Sequence, residues 1–164
     1  MVAPVEVLMI IPNLGSTKPL NDSAWTTTQR RFEETERRLR AFPPAEPMPS
    51  AKLCRESAHR TLGHLTACQA AWLPLMRQIK DGASQGAIPI NPDPLFRKLG
   101  FSQLDWQVLL DRFVSERSEW RALLSQVDLE WQIMTPRRVH SAQTLTKRMV
   151  DHEKRHLDQI AWSD

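Results

Sequence analysis

The stretch that decides the fold is LTKRMVDHEKRHLDQI, residues 145–160, near the end of the chain. Its inner positions recur every three or four residues, which is the period of one face of an α-helix. These positions are Leu145, Met149, His152, His156 and Gln159 or Ile160. Two histidines therefore stand four residues apart where the pattern calls for apolar core residues. A buried imidazole needs a polar partner, and a shared metal ion would supply one to both rings.

The composition is that of one globular domain. The chain has 164 residues, of which 41% are hydrophobic and 25% are charged, as in ordinary soluble domains. The net charge of +3 comes from 22 basic and 19 acidic residues that are mixed along the sequence. There is no basic stripe with interleaved aromatic residues, so we expect no nucleic-acid partner. No apolar run approaches the roughly 20 residues that span a bilayer, so we expect no membrane partner.

The cysteines and the first residues indicate the compartment. Cys54 and Cys68 fall on one predicted helix, about 21 Å apart along its axis and beyond the reach of a disulfide. Two unpaired thiols are typical of a reducing compartment. The opening MVAPVEVLMIIPNLG has an acidic residue and no basic one before its hydrophobic run, which is unlike a signal peptide. We therefore expect a cytoplasmic protein.

Four amphipathic helices are predicted, joined by proline-rich connections. They cover roughly residues 23–42, 50–80, 102–126 and 141–162. The predicted N-caps are Asp22 or Ser23, Ser50, Ser102 and Ser141. Pro74 lies inside the second pattern and predicts a kink or a short break after Trp72. Residues 127–140 are predicted to be a connection.

This pattern predicts an all-α four-helix bundle over residues 24–164, preceded by a short extended arm at residues 1–23. We expect no sheet of any size. The inner face of the third helix is predicted to consist of Leu104, Val108, Leu109, Phe113, Trp120 and Leu123 or Leu124.

A third histidine is predicted to join the pair on the last helix. His64 lies on the flank of the apolar stripe of the second helix, so it faces the interior. His59 is five residues away, about 140° round the same helix, and His140 precedes the last helix. His64, His152 and His156 are therefore the selected metal ligands. Chance surface histidines can share this spacing, and only the conjunction of all three favours a metal.

Two segments resemble the DinB superfamily. They are LGHLTACQAAWL, residues 62–73, and DHEKRHLDQI, residues 151–160. Its members are four-helix bundles with one histidine on the second helix and an H-x-x-x-H near the end of the chain. The resemblance spans roughly residues 24–162. It implies a site of His64, His152 and His156 for Zn²⁺, Ni²⁺ or a similar ion, in a bundle that commonly forms homodimers.

The resemblance also implies an activity. Better-understood relatives act on thiols, as mycothiol-dependent isomerases and as bacillithiol or glutathione-type S-transferases. The expectation is a metal-dependent S-transferase or isomerase that takes a small-molecule substrate and a low-molecular-weight thiol. Two alternatives stay open. One is a non-catalytic, stress-linked metal-binding or dimerisation module, and the other is a metal-dependent hydrolase, for which the sequence places no general base.

Three further residues near the predicted ligands have open roles. Glu153 lies about 100° from the ligand face and is expected to point to solvent or to a neighbouring helix. Gln159 is expected either to hydrogen-bond a ligand or to make a polar contact between helices. Cys68, one turn after His64, is either a small buried side chain in a helix interface or a thiolate ligand of the metal.

Overall fold

In the part of the chain that the structure describes, four long helices form a bundle. The computed structural model describes residues 22–44, 58–80, 96–126, 132–135 and 138–160. Within these ranges the long α-helices are α1 Asp22–Ala41, α2 Ala58–Lys80, α3 Trp106–Leu124 and α4 Ala142–Gln159, and residues 96–98 are also helical. A short 3₁₀ turn, Phe101–Gln103, precedes α3. The predicted all-α bundle is confirmed. The predicted arm and the first residues of the predicted second helix lie outside the described residues.

One local feature differs from the prediction. The connection before α4 contains an antiparallel hairpin of β1, Gln132–Thr135, and β2, Arg138–Ser141. Its register pairs Gln132 with Ser141 and Thr135 with Arg138. Strands of four residues are too short to build a readable period-two pattern in the sequence, which is why the prediction of no sheet fails here.

The helix boundaries agree with the sequence where local chemistry sets them. Ser141 caps α4 as predicted, because its side-chain oxygen accepts from the Thr144 N–H at 3.1 Å, and the Thr144 hydroxyl oxygen accepts from the Ser141 N–H at 2.9 Å. Ser102 does not cap α3, whose N-cap is Asp105. In α2 the predicted short break is absent, since the helix continues through Pro74 to Lys80.

The inner face of α3 is largely as predicted, with one error. The predicted residues that are buried are Leu109, Phe113, Trp120, Leu123 and Leu124. Val108 was predicted to face inward and is 50% exposed. Leu104, also predicted to face inward, lies before the first residue of α3 and is half-buried. Position 108 lies about 100° around the helix from Leu109, off the buried stripe that contains Leu109 and Phe113.

The core consists of two apolar clusters with a polar layer between them. One cluster includes Phe32, Leu73, Met76, Trp120, Leu145 and Met149. The other includes Leu39, Leu62, Leu65, Phe101, Leu109, Phe113 and Leu157. Along each helix, one polar residue is buried between the two clusters. These residues are Thr35, Gln69, Arg117 and Glu153.

Packing between pairs of helices fixes the positions of this polar layer and of the predicted histidine ligands. Helix α2 packs on α3, α1 packs on α4, and α2 also contacts α4. The two helices that carry the predicted histidines are therefore direct neighbours. Among the described residues, no helix has the length and apolar character needed to cross a bilayer.

Candidate metal centre

Three histidines converge between α2 and α4. His64 comes from α2, and His152 and His156 lie one turn apart on α4. The Nε2 atom of His152 is 3.3 Å from that of His64 and 2.9 Å from that of His156. One donor atom from each ring lies within 4.8 Å of the other two. The structure thus brings together the three residues that the sequence selected.

The two histidines that the sequence set aside lie elsewhere. His59 is 1% exposed, and its Nε2 atom is 2.6 Å from the backbone oxygen of Leu104. A ring nitrogen at this distance donates its proton to the carbonyl, so His59 is a satisfied core residue. His140 lies in β2, opposite Ile133 in the hairpin register.

The environment of the cluster favours the neutral form of His152 and His156. Burial lowers the pKa of His152 from 6.5 to about 4, helped by the nearby His156, His64 and Arg155. Burial also lowers the pKa of His156, and His64 and Arg155 act in the same direction. Neutral imidazole is the form that binds a metal, because the lone pair of the unprotonated nitrogen is then available. At neutral pH these two rings are ready to act as ligands.

Two of the three donor separations match those between ligands of one metal ion. Zinc–nitrogen bonds of about 2.0–2.1 Å place two ligand nitrogens about 3.3 Å apart in a tetrahedral site and about 2.9 Å apart at right angles. The observed separations are 3.3 and 2.9 Å. Hydrogen bonding alone fits less well. An imidazole nitrogen has either one N–H or one lone pair, so His152 Nε2 can bond only one of its two neighbours. A cation would satisfy all three nitrogens.

The comparison with protein families decides the relationship. The model of the DinB superfamily matches residues 20–160, which is most of the chain. This chain belongs to the DinB superfamily. The resemblance that the sequence analysis drew from two short segments is therefore confirmed over the whole bundle. No curated protein matches the chain significantly.

Two solved structures resemble this DinB-superfamily bundle. One is the mycothiol-dependent maleylpyruvate isomerase, with a TM-score of 0.69 and 13% identity over 86% of this chain. The other is a mutant of that enzyme, with a TM-score of 0.69 and 12% identity over 87% of this chain. The match covers 60% and 61% of those chains, so the bundle spans about three fifths of their length. At this identity the likeness shows the fold alone.

Beside the cluster, the DinB-superfamily chain places a cysteine that the sequence analysis had noted. Cys68 is 8% exposed, and its Sγ atom is 3.6 Å from His64 Nε2. It is the small buried side chain of one prediction, and its sulfur lies beside a ring nitrogen of the cluster. Gln159 differs from its prediction. Its side chain is exposed, which supports neither predicted role, and Ile160 takes the buried position instead.

Glu153 lies in the buried polar layer and does not face solvent. Its carboxylate accepts a hydrogen bond from the guanidinium of Arg117 on α3, and both side chains are fully enclosed. Burial raises the pKa of Glu153, and the charge and hydrogen bond of Arg117 oppose that rise. Of the two predicted environments, the neighbouring helix is correct and the solvent is wrong.

Arg117 and Gln69 are the residues that sequence reasoning missed. Arg117 Nε donates to Gln69 Oε1 at 2.6 Å, and Gln69 Nε2 donates to the Phe113 backbone oxygen at 3.1 Å. The Arg117 guanidinium also lies over the Phe32 ring, 4.1 Å from its centroid. A signal existed in the sequence, because Arg117 occupies the inner period of α3 between Phe113 and Trp120.

Proposed function

We propose that this protein is a metal-dependent enzyme in which His64, His152 and His156 bind a divalent transition metal. The single observation that carries the proposal is the convergence of three ring nitrogens within 4.8 Å at a half-buried position. The donor set of three imidazoles suits zinc or nickel among the common ions. Bound there, the metal would lower the pKa of a thiol and hold its thiolate as a nucleophile.

The histidines would hold the ion while leaving it accessible. Three ligands from two rigid helices leave at least one coordination position free, as in catalytic metal sites. All three side chains are only partly buried, so a small molecule can approach the ion from solvent. Arg155 contributes positive charge beside the rings, which favours an anionic sulfur over a neutral one.

A thiol is the co-substrate that we propose, in an S-transferase or isomerase reaction. The support is the shared fold with an enzyme described as mycothiol-dependent, together with the affinity of transition metals for thiolate. Assembly as a homodimer in the cytoplasm remains a prediction from the sequence.

A thiol titration of the cobalt-substituted protein tests this proposal. The visible absorption bands of Co²⁺ should shift when at least one thiol from a panel of mycothiol, bacillithiol, glutathione and N-acetylcysteine is added. His152→Ala, which lacks a proposed ligand, should show no such response. If no thiol perturbs the spectrum of cobalt-loaded wild-type protein, thiol chemistry at this site is wrong.

A structural metal site is the second candidate, and one observation favours it. Cys68 Sγ is 3.6 Å from His64 Nε2, so a shift of the sulfur towards the other two rings would let it close the coordination sphere as a fourth protein ligand. Water exchange at the bound ion separates the two functions, because a permanently closed site admits no exchangeable water. The hydrolase alternative gains no support from Glu153, whose carboxylate is buried and engaged by Arg117 and so is not positioned as a general base.

A further inference from the structure

Cys68 is a buried sulfur beside the three-histidine site. It lies one turn after His64 on α2, so both side chains point to the same side of the helix. The Sγ atom is 3.6 Å from His64 Nε2, the nitrogen that also contacts His152. Soft thiolate sulfur is a preferred ligand of transition metals that bind histidine.

The distance between sulfur and nitrogen is that of two ligands of one ion. With a zinc–sulfur bond of about 2.3 Å and a zinc–nitrogen bond of about 2.05 Å, a tetrahedral angle separates the two donors by about 3.6 Å. This is the separation between Cys68 and His64. Among the described residues, the group whose donor atoms all lie within 4.8 Å of one another consists of the three histidines. Cys68 is outside that group, so its sulfur would have to shift towards His152 and His156 to share an ion with all three rings.

We propose that Cys68 is a displaceable fourth ligand, which competes with the thiol co-substrate for the metal. This inference rests on the proposed three-histidine metal site. As Cys68 binds, its S–H bond breaks, its sulfur–metal bond forms and the proton passes to solvent. When an external thiol replaces it, the proton of that thiol passes to the Cys68 sulfur. No electron is transferred in either exchange.

Competition by Cys68 has a measurable consequence for thiol binding. The apparent dissociation constant of a ligand rises as the fraction of protein competent to bind it falls. If Cys68 occupies the position for about nine tenths of the time, an external thiol binds about tenfold more weakly than it would to an open site. Removing the sulfur should restore the tighter binding.

The test compares three forms of the full-length protein loaded with Co²⁺: wild type, Cys68→Ser and Cys54→Ser. The chain's other cysteine is the matched control. Before any thiol is added, wild type and Cys54→Ser should show an ultraviolet sulfur-to-cobalt charge-transfer band. Cys68→Ser should lack the band and still bind cobalt. Calorimetric titration with N-acetylcysteine should then give a dissociation constant about tenfold lower for Cys68→Ser than for wild type.

Each other outcome overturns a specific part of the account. Cobalt-loaded wild type without the charge-transfer band overturns the role of Cys68 and leaves the three-histidine site standing. Equal N-acetylcysteine affinity in wild type and Cys68→Ser overturns the competition. Wild type that binds no cobalt overturns the metal site and this inference together. If Cys68→Ser does not fold, Cys68→Ala supplies the same comparison, because it removes the sulfur without adding a buried hydroxyl.

Discussion

His152 and Glu153 are neighbours on α4, and they belong to two different kinds of polar site. Glu153 is 1% exposed and lies against the Arg117 guanidinium, which also binds Gln69 and covers an aromatic ring. His152 is only partly buried and faces two other imidazoles. The Glu153 site contains its own cation. The histidine site consists of three electron-pair donors that face one another. When the three rings are neutral, none of them carries a positive charge.

The contrast assigns different roles to the two sites. The Arg117 network joins α3 to α4 and, through Gln69, to α2, so it fixes the relative position of the two helices that carry the histidines. A network completed within the protein is suited to holding the fold. A cluster of neutral electron-pair donors that is open to solvent is suited to binding a cation from solution.

The largest expected effect comes from breaking the enclosed site. Arg117→Ala should lower the free energy of unfolding by about 3–5 kcal/mol, because it leaves the Glu153 carboxylate buried without its partner. Urea denaturation of the metal-free protein measures the loss. Replacing both residues by methionine should cost less than Arg117→Ala alone, since no charge then stays buried. A loss below 1 kcal/mol in Arg117→Ala would contradict the role given to this pair.

Metal binding should give the next largest effect, and it should depend on the three histidines. At a free metal concentration of about 100 times the dissociation constant, the wild-type protein should gain about 2.7 kcal/mol of stability. Denaturation of metal-free protein with and without added Zn²⁺ measures the gain. His64→Ala should lose it. His59→Gln, five residues earlier on the same helix, should keep it, although the substitution disturbs a buried contact with Leu104.

A smaller effect should follow from pH, again at the histidine site. The pKa of His152 is about 4 in the folded chain and ordinarily 6.5, so the unfolded chain binds more protons between these values. Stability of the metal-free protein should therefore fall as pH drops from about 6.5 towards 4. The loss from this ring should be about 1–2 kcal/mol, because solvent screens a half-buried group. His152→Ala should flatten this part of a urea denaturation series, and an unchanged slope would contradict the assignment.

The smallest effect is expected at Asp151, the residue before His152, which forms an exposed ion pair. Asp151 accepts from Arg31 at 2.9 Å, and both side chains are 48% exposed. Asp151→Asn should change the free energy of unfolding by less than about 1 kcal/mol and leave the metal content unaltered. Three consecutive residues would then have different roles: Asp151 in an exposed ion pair, His152 in metal binding and Glu153 in the buried core. A loss of metal in Asp151→Asn would contradict the assignment of Asp151 to an ion pair outside the metal site.

The sequence predicted the features that depend on local spacing and capping. The four helices, the Ser141 cap and the histidines at i and i+4 all follow from chemistry within a few residues. His64 could be selected because its direction on α2 follows from the helical period. The resemblance to the DinB superfamily rested on the same local segments.

The features that the sequence did not predict depend on partners far along the chain. Whether Arg117 is buried or exposed is decided by Glu153 on another helix, and helical period alone does not contain that pairing. The hairpin before α4 depends on pairing between two very short strands. The prediction for Val108 was wrong for a simpler reason. Val108 and Leu109 are adjacent and differ in direction by about 100° around α3, and the packing of the helices buries the side that carries Leu109.

Metal content is the measurement that tests the histidine site most directly. Wild-type protein produced in metal-replete medium and then dialysed should contain close to one transition-metal ion per chain by elemental analysis. His152→Ala should contain none, while Asp151→Asn should match wild type. Wild-type protein that carries no metal after this treatment would contradict the account, because the three converging nitrogens would then have no cation to bind.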